Sequence, residues 1–350
     1  MSTLSQREKA IVSLVAQTPN LSASEIHDSL PSSIEDVSLV TVKRDLGSLT
    51  EQGYLERQGK GRAVTYSIAP EYRFNYPFDV ESYFDLSADE REGKESFNFS
   101  IFEYDLSPFS AQEHKELDEL NEQYKKNIAS LSPTVIQKET ERIIIELSWK
   151  SSHIEGNTYS LLETETLIKE HKEAEGHTKE EKVMILNHKE ALDYIFSNPE
   201  QFQTISLRNI EDVHTILTKD LGISSGLRSS PVGVIGTTYR PPVNIHQIKE
   251  ATEKMCEYIN AKEDIFEKAL LTTLLLAYIQ PFEDGNKRTS RLMSNALLVG
   301  QESCPLSYRS VDEVEYKKAI ILFYEQNNIS YFKDIFVEQF TFAAQNYFQS

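Results

Sequence analysis

The sequence predicts a mainly α protein, a large helical bundle preceded by a small α+β module. Three observations predict it. Segments with apolar residues at helical spacing recur along most of the chain. Residues 267–279 (EKALLTTLLLAYI) are apolar on nearly every side, as a helix buried all round must be. Charge is unevenly divided: 36 Lys+Arg face 55 Asp+Glu, a net −19, yet residues 1–68 are near neutral. A chain of 350 residues can bury a sizeable core and form two domains. Its 39% hydrophobic content, with 17 Phe and 17 Tyr, excludes a disordered chain. Cys256 and Cys304 are too few for a disulfide scaffold and lack metal-ligand spacing. The longest apolar stretch, near 269–279, falls short of the roughly 20 residues a membrane helix needs, and MSTLSQREKA has no secretory apolar region. The expectation is a soluble cytoplasmic protein with no membrane contact.

Residues 5–17 predict the first helix, with Ile11, Leu14 and Val15 on one face. Ser22 followed by Glu25 is a capping box that opens the second. Residues 41–52 predict the third, with Val42, Leu46 and Leu49 at helical spacing and Gly53 as its stop. A strand at Tyr54 and Leu55, a basic glycine-rich turn over 58–62 and a strand over 64–68 complete a module of residues 1–69. This order resembles the winged helix-turn-helix family, in which the third helix enters the major groove and the wing meets phosphates. The resemblance places Thr41, Lys43 and Arg44 on DNA, with Lys60 and Arg62 on the wing. A small interaction or dimerisation domain fits the same residues, because the module's net charge is not basic.

Residues 70–119 read as a connecting region, marked by Pro70, Pro77, Pro108 and an acidic run over 87–92. Within it, SFNFSIFEY at 96–104 alternates polar and apolar residues and predicts a half-buried strand, with Phe97, Phe99 and Ile101 on one face. From Glu113 onward the chain is mostly helical.

Pro281 and Gly285 break the apolar helix, and a further helix runs on through Leu298. Asp284, Gly285 and Asn286 therefore form a loop at a helix N-terminus, where unpaired N–H groups and the macrodipole favour an anion. Lys287, Arg288 and Arg291 crowd that positive end, each unfavourable by roughly 0.3–1 kcal/mol. Arg288 and Arg291 share a face. In an acidic chain this arrangement points to a bound anion, phosphate above all, with Asp284 able to hold magnesium beside it. A capped helix with exposed basic residues accounts for the composition equally well. Residues 139–154 predict another helix, ending at Glu155 and Gly156. Glu155 puts a carboxylate at a negative helix end, and both misplaced charges are relieved if the two ends meet; a solvent-exposed glutamate before a cap is the alternative. Residues 231–242 (PVGVIGTTYRPP) predict two short strands turning near Gly236, and such an edge can pair with an extended peptide.

QPFEDGNKRTSR at 280–291 resembles the signature of the Fic (filamentation-induced-by-cAMP, Fido) family, His-Pro-Phe-x-Asp/Glu-Gly-Asn-Gly/Lys-Arg-x-x-Arg, at every fixed position but the first. Gly226, Leu227 and Arg228, then Val234, Ile235 and Gly236, and SSHIEGNTYSLLETE at 151–165 support it, so the resemblance covers roughly 120–350. It implies a helical bundle with a small β-hairpin flap and a protein adenylyltransferase, which moves AMP from ATP to a Ser, Thr or Tyr hydroxyl of a target protein. It further implies that Asp284 carries magnesium. Gly285, Asn286 and Lys287 line the phosphate loop, Arg288 grips the outer phosphates and Arg291 the γ-phosphate. Val234, Ile235, Gly236 and Thr237 form the flap that docks the target. Ser151, Glu155 and Gly156 match the family's inhibitory helix motif, in which the glutamate pairs with the second arginine. Where the family has its histidine base this chain has Gln280, whose amide takes up no proton near neutral pH. His153 and His246 are not evident substitutes. Lys287 also occurs in branches resembling death-on-curing toxins, which transfer a phosphoryl group.

Three readings follow from these residues. One is an auto-inhibited, weakened adenylyltransferase joined to a DNA-binding module; another is a catalytically silent ATP-binding regulator; the last is a transferase of different chemistry. A homodimer is compatible with each, since the sequence does not fix the oligomeric state.

Overall fold

The computed structural model describes residues 4–31, 34 and 37–349, without the side chains of Arg62 and Glu71. The Arg62 wing contact therefore lies outside the described residues. The N-terminal module contains α1 (Gln6–Gln17), α2 (Ala23–Ser29), α3 (Leu39–Glu51) and a hairpin of β1 (Leu55–Gln58) and β2 (Thr65–Ile68). Ser5 with Glu8 and Ser22 with Glu25 form complete capping boxes, each serine accepting from the N–H three residues on. Helix α3 begins two residues earlier than the sequence predicts, because Ser38 accepts the Thr41 N–H and serves as its cap. Ile11, Val15, Ile26, Leu46 and Leu49 make a separate small core with Tyr54 and Tyr66.

The connecting region holds α4 (Val80–Phe84) and a 3-10 turn at Phe99–Glu103. The strand predicted over 96–104 is not formed. Asn98 accepts the Ser100 N–H and winds the chain, so Phe97 and Ile101 fall one helical turn apart and bury together, while Phe99 turns outward. Only Ser96 pairs as a strand residue, in an isolated parallel bridge with Arg240.

The body is built from α5 (Ala111–Ser130), α6 (Pro133–Ile154), α7 (Leu161–Glu170), α8 (Lys179–Ser197), α9 (Leu207–Thr218), α10 (Ile245–Ala261), α11 (Ile265–Ile279), α12 (Asn286–Gly300), α13 (Glu313–Gln326) and α14 (Ser330–Asn346). Helix α11 is buried along almost its whole length and is the axis of the bundle, with α12 folded back beside it. Leu271, Leu274, Leu275 and Ile279 join Leu292, Phe323 and Phe340 in one continuous core. Helices α8 and α9 also pack against α12, and α6 meets it where Ser151 contacts Arg291.

The two short strands predicted over 231–242 are not formed; the segment turns at Ile235 and Gly236, whose φ of +85° suits glycine, and only Arg240 makes a bridge, with Ser96. Among the described residues its two arms do not pair with each other. Pro231, Pro241 and Pro242 have no N–H to give, and Arg240 donates its own to the Glu95 carbonyl at 2.9 Å.

Candidate active site between two helix ends

The site begins where α11 stops. Gln280 takes a left-handed backbone (φ 51°) and caps α11, donating its N–H to the Leu276 carbonyl. Its amide nitrogen donates to the Ala277 carbonyl at 2.6 Å and to the Tyr324 hydroxyl at 3.3 Å. The reverse orientation would set two carbonyl oxygens against each other, so these acceptors decide which end of the amide faces them. Asn286 ties the next loop: it donates to the Phe282 carbonyl and accepts the Phe282 N–H, both at 2.8 Å. Gly285, at φ 79°, is the N-cap of α12, and no side chain caps that terminus.

Arg288 and Arg291, one turn apart, are both buried, at 2% and 0% exposure. Arg288 reaches the otherwise exposed Asp284 carboxylate at 3.3 Å. Arg291 donates through Nε to the Ser151 hydroxyl and through Nη2 to the Ser151 carbonyl, both at 2.9 Å, and its guanidinium lies over the Tyr316 ring. The Nη1 of each arginine is buried with no partner among the described residues. Leaving a buried cationic donor unpaired is costly, and both of these donors lie in the first turns of α12.

The second helix end completes the enclosure. Ser152 accepts the Asn157 N–H, and Gly156, at φ 100°, closes α6 so that Glu155 projects from its C-terminus. Its carboxylate takes Arg291 Nη2 at 2.8 Å and Lys287 Nζ at 3.1 Å. Burial would raise the Glu155 pKa, but Arg291 and Lys287 outweigh it and hold it at about 2. Burial lowers the Arg291 pKa, yet Tyr316 and Glu155 carry it above the usual range; burial leaves Arg288 below it. The two ends of unfavourable polarity therefore meet.

Ser151, Glu155, Gly156, Asp284, Gly285, Asn286, Lys287, Arg288 and Arg291 thus gather at one place. Val234 and Ile235 of the flap border a groove of about 260 Å³ with Glu155, Lys287 and Tyr324, while Gly236 and Thr237 continue the flap's turn. A larger cavity, about 1360 Å³, lies between the N-terminal module and the body and holds none of the motif residues. His153 lies on α6, bonded to the Asn157 carbonyl, and His246 is exposed at the start of α10. On the module, Lys43, Arg44 and Lys60 are exposed and Thr41 is half-buried beside Ser38.

Three residues of the site were not assigned a role from sequence. His214 of α9 stacks on Phe282 at 3.7 Å and bonds the Asp284 carbonyl at 3.0 Å, bracing the loop from behind. His188 of α8 is fully buried; that burial, reinforced by Arg291 and Arg288, pushes its pKa well down and keeps it neutral. Arg228 donates to the carbonyls of Gln280, Ser230 and Pro242 at 2.6, 2.9 and 2.6 Å, joining the flap's stem to the motif. Among the described residues no carboxylate pairs with it. Only Arg228 carried a signal in the sequence, through its glycine-leucine-arginine context.

Fold and site together define a helical domain with two buried arginines beside a helix terminus that no side chain caps. Residues 204–298 match the model of the Fic/DOC family, so the chain carries a Fic/DOC family domain. Residues 4–71 match that of the penicillinase repressor, in keeping with a winged-helix module. Two similar proteins are named Protein adenylyltransferase Fic. The one from Aedes aegypti is 28% identical over 51% of this chain and 37% of its own length; that from Nematostella vectensis is 29% identical over 48% and 40%. The chain thus spans about two-fifths of the length of these relatives. Among solved structures, Fic-1 from C. elegans superposes with a TM-score of 0.58 at 19% identity, covering 67% of this chain and 71% of that one. A Fic-domain-containing signaling protein from Bacteroides thetaiotaomicron gives 0.56 at 19% identity, covering 67% and 94%. Both share the fold.

Proposed function

We propose that residues 120–350 form a Fic domain that binds ATP at the N-terminus of α12 and is built for AMP transfer to a Ser, Thr or Tyr hydroxyl of a protein. In this reading Glu155 holds it in check and Gln280 weakens it. The observation that carries it is the pair of buried, unpartnered Nη1 groups on Arg288 and Arg291 at an uncapped helix end. A polyphosphate supplies the acceptors that both guanidinium groups and the helix N–H groups lack. Lys287 adds charge beside them. Asp284, exposed and within reach of Arg288, suits a magnesium ligand; among the described residues no three acidic, His or Cys side chains cluster as a full metal site. The ion's remaining ligands would be phosphate oxygens and water, and its contribution is charge neutralisation on the phosphates.

In the reaction, the target hydroxyl oxygen bonds to the α-phosphorus, the bond to the bridging oxygen breaks, and pyrophosphate leaves. Arg288 and Arg291 neutralise charge on the departing phosphates. The hydroxyl proton needs an acceptor. Gln280 gives none, and its amide nitrogen is committed to Ala277 and Tyr324. Loss of a general base slows such steps by roughly 10²–10⁴-fold. Glu155 occupies Arg291, so phosphate and carboxylate compete for one guanidinium.

The fixed Gln280 amide also favours a second reading, a silent ATP-binding regulator whose residues 1–69 meet DNA through α3 and the wing, with 70–119 as connector. Labelled ATP with wild type, Glu155→Gly and Glu155→Gly/Gln280→His separates the two. Label on the double variant supports the weakened transferase. Label on Glu155→Gly alone refutes silence, and none on the double variant refutes transfer. No ATP-induced melting shift in any variant refutes the nucleotide site itself.

A further inference from the structure

The connecting region reaches the flap through one side chain. Arg91 follows α4 in the acidic run, yet its side chain is only 6% exposed. Its Nη2 donates to the Gly236 carbonyl at 2.5 Å, in the turn of the flap. Nε and Nη2 also grip the Glu325 carboxylate on α13, at 3.0 Å each, and Nη1 donates to the Leu86 carbonyl at 3.3 Å. The guanidinium carbon lies 4.9 Å from the centre of the Phe84 ring. Tyr83 donates its hydroxyl to Glu325 at 2.7 Å, and the Lys94 N–H donates to the Glu325 carbonyl at 2.6 Å. Gly93 packs so closely that an added Cβ would lie 2.8 Å from Glu325 Cβ.

This is an unusual place for a charged pair. Glu325 lies in the last turn of α13, where the macrodipole disfavours a carboxylate, so the pair is not explained by helix stability. A buried ion pair is weak evidence for stability in general. What the fork adds is geometry: a rigid planar donor fixes a carbonyl and a carboxylate at once. The carbonyl is in a turn whose two arms have no ladder of their own and whose Ile235 is 97% exposed. Downstream, Glu95 takes the Arg240 N–H, so residues 91–96 hold the flap at its turn and at its exit.

We propose that Arg91 is a positioning residue for the flap: from outside the Fic domain it fixes the Gly236 carbonyl against α13 and pre-orders the edge at 234–237 for an extended target segment. The docking role of that edge rests on the function proposed above; the ordering of the flap does not. Pre-ordering lowers the entropy lost when a partner pairs with the edge.

The test uses the full chain with Arg91→Lys and the double replacement Arg91→Met/Glu325→Leu, which removes the fork without stranding a buried charge. Hydrogen exchange is followed at the hydrogen-bonded flap amides of Tyr239 and Arg240 and, as a reference, in α11. Both variants should exchange tenfold faster or more in the flap, with α11 and the ATP-induced melting shift unchanged. Lysine should not rescue, since one ammonium cannot hold both acceptors in the fork's plane. If the Glu155→Gly/Gln280→His background transfers AMP, adding either change should raise KM for the protein target at least fivefold with kcat within twofold. Unchanged flap exchange overturns the proposal, as does a rise in α11 equal to that in the flap. A flap that loosens while no variant transfers label leaves the positioning role standing and refutes the transferase reading alone.

Discussion

Replacing Glu155 by glutamine neutralises the carboxylate at nearly constant shape and so mimics its protonated form. The folded-state pKa of about 2 lies well below the ordinary 4.5; at roughly 1.4 kcal/mol per pH unit this corresponds to about 3 kcal/mol. The side chain is 17% exposed, so little of that is screened away. The substitution also leaves Arg291, which has no solvent exposure, without its counter-charge. We expect Glu155→Gln to lower the melting temperature at pH 7 by about 6 °C, taking the lower end of roughly 2–4 °C per kcal/mol as suits a chain of this size. The depressed pKa fixes the pH window. The contribution is complete above about pH 4.5, where the unfolded carboxylate is also ionised, and disappears as pH falls toward 2. The gap between wild type and variant in denaturant unfolding should be constant from pH 7 to 5 and shrink below that. With ATP and magnesium the order reverses, because Arg291 no longer chooses between carboxylate and phosphate, and the ligand-induced melting rise should be larger in the variant. Equal stability at pH 7 together with an equal ATP response would refute the electrostatic account of the two helix ends.

Arg291→Ala should weaken ATP binding at least tenfold by calorimetry and reduce the pH dependence assigned to Glu155 to what Lys287 alone sustains; unaltered affinity would remove that arginine from the phosphate site. Gly285→Ala should destabilise by about 1–2 kcal/mol in urea unfolding, since an L-residue at φ 79° is strained and its Cβ would meet Thr218 at 3.2 Å. The same change should reduce ATP binding, and a neutral outcome would mean the loop relaxes freely. Lys43→Ala with Arg44→Ala should reduce DNA affinity and flatten its salt slope by about two, with one charge lost at each position. An unchanged slope would make α3 a protein-binding face.

What was legible in the sequence was whatever short-range chemistry encodes. Ser22 with Glu25 announced α2, and Pro281 and Gly285 announced the break between α11 and α12. Misplaced charges at Glu155 and Arg288/Arg291 announced that two helix ends should face each other, a long-range contact inferred from local electrostatics. The failures have the same origin. Alternation over 96–104 reads as a strand only if a partner strand exists; Asn98 instead winds the segment, and the turn buries Phe97 against Tyr278 at 4.7 Å. The flap reads as a hairpin because its residues suit one, but Arg240 finds Glu95 rather than the opposite arm. His214 and Arg91 were invisible for a different reason. Each acts on a residue at least 70 positions away, and no spacing rule tells a histidine on an apolar helix face that a loop carbonyl will lie beside it.

Arg228 has a consequence that its three carbonyl partners make unavoidable. Carbonyl dipoles hold the guanidinium in place but leave its full unit of charge uncancelled, within 2.6 Å of the backbone oxygen of residue 280. Any ring introduced at that residue sits in a field hostile to a second positive charge. An imidazole there would meet that charge as a push toward its neutral form, set against the pull of the Ala277 carbonyl that the side chain of residue 280 faces.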